Sequence, residues 1–284
     1  MNPNEQQAER PFLRRMELRN RMWWEEVAPE SHSRDECMSR RSHLDSEASW
    51  KCCEYWQRKL YSKWNSRQFA IKLGMRVPDL YWAGEDVRAL PLEALPESYV
   101  IRFCSGHSSR QVWVMDGNCE LLRDRQYTTE SLRQDLVATA SAYPYRVFVM
   151  VEERLRRSDD RLGLCDDIKI HTFGDEIPFI ITRVGMTRYG YYFPDWRPVP
   201  FPVSNKKSRE IVEFAKPRYL DEMLVWARRY SNAFGSYVRV DLYDTETGPV
   251  FGELATQPCG GKCYTPQAER VLNEHWEKSF PDRI

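Results

Sequence analysis

Apolar and aromatic side chains recur at helical spacing over residues 50–72, and Gly74 with Pro78 closes the pattern, so a helix followed by a short strand near residues 77–82 is expected. After the turn-rich stretch between Pro91 and Pro96, residues 99–103 and 111–115 read as two strands of a hairpin around a Gly-His-Ser-Ser-Arg tip. A helix is expected over residues 129–142, with Thr128 or Thr129 as its N-cap, and then an apolar strand over 146–151 ending in Glu152-Glu153. Residues 167–173 and 178–184 form a second expected hairpin, with Gly174-Asp175-Glu176 at the turn. The aromatic and proline-rich residues 188–203 read as a long loop. A helix opens at Pro217 and is capped by Gly235. Two strands, 237–244 and 249–256, make a third hairpin, and a last helix starts at Thr265-Pro266 and buries Val271, Leu272 and Trp276.

The 284-residue length suits about two domains of roughly 150 residues each. Hydrophobic residues at 42% and aromatics at 13% are enough to build a core, so a globular chain is expected. Basic and acidic residues number 42 each, which leaves no net field for nucleic acid or an anionic membrane. No apolar run nears the ~20 residues of a membrane span, and the N-terminus lacks an apolar signal core; a cytoplasmic protein is expected. The eight cysteines, which include Cys52-Cys53 and Cys259-Gly-Gly-Lys-Cys263, are not spaced as a zinc ribbon and read as free thiols. Residues 1–50, charged in both signs and broken at Pro29, read as a helical appendage.

Candidate chemistry concentrates on strand faces. Alternation puts Arg239, Asp241 and Tyr243 on one face of their strand, and a turn centred near Thr247 would set Asp241 across from Glu253. Adjacent carboxylates repel unless a cation lies between them, and hard oxygen ligands suit magnesium. Arg239 adds a fixed charge suited to a phosphate or oxyanion. The alternative is an ordinary charged hairpin face. In Asp167-Ile-Lys169-Ile-His171 the polar residues share a face, either as a phosphate and ribose contact or as a solvated surface. Arg102 with the tip residues Gly106, Ser108 and Ser109 could cradle phosphate or simply turn the chain. Glu152 and Glu153 could meet an adenine and a ribose, or mark a strand reaching solvent.

In this order the segments resemble the ATP-grasp superfamily of carboxylate–amine ligases, and most closely its TupA-like branch, from about Lys59 to the C-terminus. The most specific part is Val238-Arg-Val-Asp-Leu-Tyr-Asp, followed by Gly252-Glu-Leu, Pro258 and Gly260-Gly261. The resemblance implies an α+β ATP-grasp fold, in which two α+β subdomains sandwich the nucleotide behind an N-terminal helical and α/β region. The implied divisions are 1–50 as the appendage, 51–96 as a preceding α/β region, 97–155 as the central subdomain with the phosphate loop, and 156–284 as the catalytic subdomain. Asp241 and Glu253 would bind magnesium, and Arg239 would steady the acyl phosphate. Lys63 and Arg67 match an Asp-Lys-x-x-x-Arg pattern, with Ser62 in place of Asp. Arg102 stands where a nucleotide-binding lysine is usual, residues 106–110 form the loop over the phosphates, Glu152 and Glu153 fall at the adenine hinge, Asp167 at the ribose and Lys169 at a phosphate. Ala255 replaces the metal-binding Asn of Glu-x-Asn, which leaves the number of metals open.

The implied chemistry is activation of a carboxylate by ATP with magnesium, then attack by an amine, with both substrates small molecules or polymers. Arg183, Arg188, Tyr191, Tyr192 and Trp196 combine guanidinium forks with flat rings suited to a carboxylate and a sugar or peptide, or else pin a loop. His171 is a candidate base for the amine, or a packed histidine. The TupA-like resemblance implies joining an amino acid to another amino acid or to a uronic acid of a cell-surface polymer. The alternatives are a kinase of the same fold and a non-catalytic nucleotide-binding module. The oligomeric state stays open, a homodimer among the alternatives.

Overall fold

The computed structural model describes residues 10–24, 51, 55–104, 111–143, 147–158, 163–185 and 187–283. The chain divides into two compact units: residues 1–29, 166–244 and 253–284 form one, and residues 30–165 with 245–252 form the other. No helix among the described residues is long and apolar enough to cross a membrane.

The first unit carries most of a six-stranded sheet, made of β7 (Asp167–Thr172), β8 (Ile180–Val184), β9 (Arg188–Tyr192), β10 (Glu210–Ile211), β11 (Val238–Thr245) and β12 (Gly248–Ala255), in the order β10-β9-β8-β7-β11-β12. The long loop expected over 188–203 therefore begins as a strand: Tyr189, Tyr191 and Tyr192 are β-formers that pair with β8. Strand alternation divides the sheet's faces. Even-numbered Ile168, Ile170, Val240 and Leu242 are fully buried on the side of α4 (Leu220–Phe234). The α4 entry is held there by the Asp244 carboxylate, which accepts from the amides of Arg218 and Tyr219. Gly235, at φ 76°, ends the helix in the left-handed conformation that glycine adopts without a Cβ penalty.

The odd-numbered face is covered in part by α1 (Pro11–Trp24) and α5 (Pro266–Ser279), whose Phe12, Met16, Leu272 and Trp276 join Phe173, Phe179, Tyr237 and Tyr264 in one core. The first helix, expected as an appendage, is thus part of this core. Its Arg19 is fully buried and donates to the carbonyls of Tyr237 and Thr256 and to the Ser236 hydroxyl. Cys259 and Cys263, expected as free thiols, form a disulfide across a tight turn whose Cα atoms are 5.8 Å apart.

The second unit holds an antiparallel sheet ordered β1-β6-β2-β3-β4-β5, from β1 (Leu80–Gly84), β2 (Ser98–Phe103), β3 (Val112–Asp116), β4 (Cys119–Glu120), β5 (Arg125–Gln126) and β6 (Val149–Glu153). Apolar Tyr99, Ile101, Phe103, Val149 and Val151 pack in one core with Leu132 and Leu136 of α3 (Thr129–Ser141). The Thr128 hydroxyl accepts from the Ser131 amide at 3.1 Å and caps that helix. The helix expected over 50–72 is broken at Ser62 into a 3-10 turn (Trp56–Tyr61) and α2 (Lys63–Lys72).

Candidate functional site

Register brings the polar residues of β7 and β11 together. Asp167 pairs with Tyr243, Lys169 with Asp241 and His171 with Arg239, all on the odd face. Arg183 of β8 sits opposite Asp167 on the same face. The charges alternate in sign along the row. The Arg183 guanidinium donates to Asp167 Oδ2 at 2.8 Å, and Lys169 Nζ lies 2.6 Å from that same oxygen. Lys169 also donates to Asp241 Oδ2, and Arg239 closes the row with a fork onto both Asp241 oxygens at 2.6 and 2.7 Å.

Burial sets the electrostatics of the row. Desolvation would raise the Asp241 carboxyl, but Arg239 and then Lys169 outweigh it and hold its pKa at about 2. Burial likewise works against the charged Arg239, and Asp241 reverses that effect. Asp167 keeps Arg183 charged against its own burial. Three cations thus face two carboxylates in a largely water-excluded row, a net positive charge suited to phosphate or an acyl oxyanion. Asp167 Oδ1 is buried without a hydrogen-bond partner, an acceptor ready for a ligand hydroxyl or a hydrated cation.

His171 belongs to the other end of this face. It is fully buried, with Nδ1 2.8 Å from the Tyr237 hydroxyl and Nε2 3.5 Å from that of Tyr264. Burial, with Arg239 adding to it, pushes its pKa well below 6.5. A neutral ring enclosed by tyrosines fits the packed histidine, the second of the two expectations for this position.

The expected substrate group separates by strand parity. Arg183 and Tyr191 lie on the charged face, whereas Arg188 and Tyr192 occupy the opposite face, where they pair with Val184 and Ile180. Tyr192 and Trp196 stack at 4.1 Å; the Tyr192 hydroxyl accepts from the Phe214 amide, and Trp196 Nε1 donates to the Phe214 carbonyl. They pin the loop after β9.

The hairpin strands end at Thr245 and begin again at Gly248, and the Thr245 hydroxyl donates to the Gly248 carbonyl at 2.6 Å. The turn is thus centred between Glu246 and Thr247, within half a residue of the expected position. Asp241 and Glu253 are buried and half-buried oxygen donors of the first unit. Among the described residues no cluster of three or more His, Cys, Asp or Glu side chains is formed. With its two oxygens already held by Arg239 and Lys169, Asp241 suits magnesium only as the companion of a phosphate, whose own oxygens would complete the shell.

In the second unit Glu152 is nearly inaccessible and lies between two guanidiniums. Arg67 donates to its Oε1 at 3.0 Å, and Arg102 Nε lies 2.6 Å from Oε2 while Arg102 Nη1 donates to the Gly252 carbonyl. Arg67 is carried by the second turn of α2, whose first residue, Lys63, is buried as well. Glu153 pairs with Arg76 at 3.3 Å and accepts from the Asp79 amide. Both carboxylates expected at an adenine hinge are therefore engaged with arginines. Gly106, Ser108 and Ser109 lie outside the described residues.

Sequence reasoning missed two side chains beside the charged row. Tyr264 lies within reach of a hydrogen bond to Arg239, and burial pushes its phenol up to about 12 while Arg239 and Arg209 draw it down. Arg209 reaches the Tyr191 hydroxyl at 3.2 Å. Neither stands in a motif; the pairing of residues 203–205 with 263–265 and that of β10 with β9 bring them near.

Known proteins resemble this chain at low identity. The chain is similar to the D-alanine–D-alanine ligase of Bacillus anthracis in complex with ATP, at 16% identity and TM-score 0.48, covering 78% of this chain and 67% of that one. D-alanyl-alanine synthetase A of Vibrio cholerae aligns at 12% identity and TM-score 0.49, over 78% of this chain and 65% of the other. The ATP-grasp ligase PsnB, bound to a precursor peptide and AMPPNP, aligns at 15% identity and TM-score 0.41, and this chain spans half of its length. Among curated proteins no sequence matches. The family model for TupA-like ATP-grasp proteins matches residues 59–275, which take in β7, β11 and the whole charged row, and the chain belongs to that family.

Proposed function

We propose that the chain is an ATP-dependent ligase that joins a carboxylate to an amine through an acyl phosphate. The observation that carries this reading is the row Arg183–Asp167–Lys169–Asp241–Arg239, a preorganised, net-positive surface with one unpartnered buried carboxylate oxygen. Phosphoryl transfer to a carboxylate gathers charge on phosphate oxygens and on the departing ADP, and fixed cations in a dry site stabilise that charge without reorganising. Lys169 and Arg239 are the groups placed to do so. Asp241, ionised at every working pH, keeps both aligned. Asp167 Oδ1 would accept a hydroxyl of the nucleotide. Magnesium, bound by Asp241 and Glu253 together with the phosphates, would supply Lewis-acid neutralisation of their charge.

The acid and the amine are drawn from amino acids and uronic acids, as in the assembly of a cell-surface polymer. The test is a screen of such pairs for ADP formation, with products identified by mass. An amide formed with equimolar ADP and phosphate is the expected result. A stable phosphorylated product without amide would identify a kinase and end the ligase reading, and the absence of ADP with every pair would leave a nucleotide-binding module. Asp241→Asn should lower turnover by about 100- to 1,000-fold; unchanged turnover would remove the charged row from the mechanism.

A further inference from the structure

Arg209 is a built feature of the charged face that the ligase reading does not use. Its guanidinium lies 4.3 Å from the centroid of the Tyr189 ring, and Nη1 donates to the Tyr191 hydroxyl at 3.2 Å. Both tyrosines are on the odd face of β9 and about 8% exposed, so the fork is held on the same side as Asp167 and Asp241. Two ladders fix its backbone. Residues 210 and 211 run parallel to Arg188 and Tyr189, with the Glu210 amide donating to Thr187 and the Val212 amide to Tyr189. Upstream, Ser204 bridges Tyr264, the Asn205 amide donates to the Cys263 carbonyl, and the Asn205 side chain donates to the Lys262 and Tyr264 carbonyls.

The other arginines of this face have carboxylates: Arg183 has Asp167 and Arg239 has Asp241. Arg209 makes no ion pair among the described residues, and its remaining N–H donors face no protein acceptor there. Tyr189 is the register partner of Arg183, which places the open fork beside the row on its β9 flank; Tyr264 lies within electrostatic reach of both Arg209 and Arg239. A guanidinium stacked on one phenol and braced by another is preorganised for a planar, bidentate partner, and a carboxylate matches that geometry.

We propose that Arg209, braced by Tyr189 and Tyr191, binds a second carboxylate of the substrate acid, so that the acid is a dicarboxylate activated at the group nearer Arg239. The assignment of the activated group rests on the ligase reading, whereas the carboxylate subsite itself does not. Dicarboxylates from malonate to adipate and their monoamides serve as probes, titrated calorimetrically into the full chain and into Arg209→Gln, with thermal melts confirming that the variant folds. At least one dicarboxylate should bind the wild-type chain about 10- to 100-fold more tightly than its monoamide, and Arg209→Gln should abolish the difference. Tyr191→Phe, which removes one brace only, should reduce it partially. Wild-type binding that does not distinguish diacid from monoamide, or a distinction that survives in Arg209→Gln, would overturn the proposal. Measurement of ADP formation separates the two readings: diacid binding through Arg209 without ADP from any acid–amine pair keeps the subsite and ends the ligase, while ADP formation equal in Arg209→Gln and wild type with every acid keeps the ligase and ends the subsite.

Discussion

Lys169 and Asp241 are register partners across the β7–β11 ladder, and the lysine ammonium donates to Asp241 Oδ2 while also contacting Asp167. One ammonium thus holds two carboxylates whose mutual repulsion would otherwise splay the strands. Lys169→Met should cost about 3–5 kcal/mol by leaving those carboxylates underpaired in a buried setting, read as a shift in the denaturant midpoint. Turnover should fall further than the lost folded fraction explains. If Lys169→Met stays as stable as wild type, the row is solvated and the ion pairing carries little energy.

The pH dependence of stability follows from Asp241. Its folded pKa, about 2, lies below its ordinary 3.8, so the folded state releases this proton more readily than the unfolded chain does. The stabilisation is complete above pH 3.8 and is lost as pH falls through about 2, and its size is about 2 kcal/mol. Asp241→Asn should therefore flatten the decline of stability between pH 4 and pH 2, measured by urea unfolding across that window. A variant curve parallel to wild type would place the acid-sensitive group elsewhere.

The row was legible in the sequence because a strand's period is two. The alternation of Asp167, Lys169 and His171, and of Arg239, Asp241 and Tyr243, needed only the strand assignment, and register did the rest. Parity also explains what was misread. Tyr191 and Tyr192 are adjacent in sequence and were grouped as one binding surface, yet adjacent strand residues face opposite ways. Arg209 and Tyr264 escaped notice because their proximity depends on a loop-to-loop pairing 60 residues apart in sequence, for which no local pattern exists. The first helix was readable as a helix but not as core, since its buried face includes Arg19, a residue type that seldom lies inside without partners.

Glu152 joins α2 to the sheet of the second unit through Arg67 and Arg102. Glu152→Gln keeps the shape and removes the charge, leaving two buried guanidiniums facing an amide. A loss of about 3–5 kcal/mol is expected, together with faster hydrogen exchange in β2 and β6. Exchange rates equal to those of wild type would show that Glu152 is not what neutralises the pair.

His171 should contribute no inflection to the pH–rate profile. Its ring is neutral through the physiological range, and both nitrogens face tyrosine hydroxyls. His171→Asn should lose about 1–3 kcal/mol of stability, because the Tyr237 hydroxyl loses its buried partner, while the shape of the profile between pH 5 and 8 is retained. A profile whose acidic limb disappears in the variant would restore a proton-transfer role to this residue.

Arg19 ties α1 to both ends of the base of the β11–β12 hairpin. One guanidinium nitrogen donates to the Tyr237 carbonyl at 3.0 Å and the Thr256 carbonyl at 2.7 Å, and another reaches Ser236, two residues before β11. The rings of Trp23 and Trp276 lie 5.1 and 4.7 Å from the guanidinium, and burial lowers its pKa to about 9. Thr256 lies three residues beyond Glu253, so the same bond steadies the strand that carries the second candidate metal ligand. Arg19→Met fills the space but leaves two carbonyls buried without a donor, and a loss of about 3 kcal/mol or more is expected. Arg19→Lys, with one ammonium in place of a fork, cannot span Tyr237, Thr256 and Ser236 together and should recover only part of that loss. Stability measured for the two variants decides whether the fork or the charge matters: a lysine variant equal to wild type would show that charge alone suffices, and a methionine variant equal to wild type would show that α1 is held by its apolar face without Arg19.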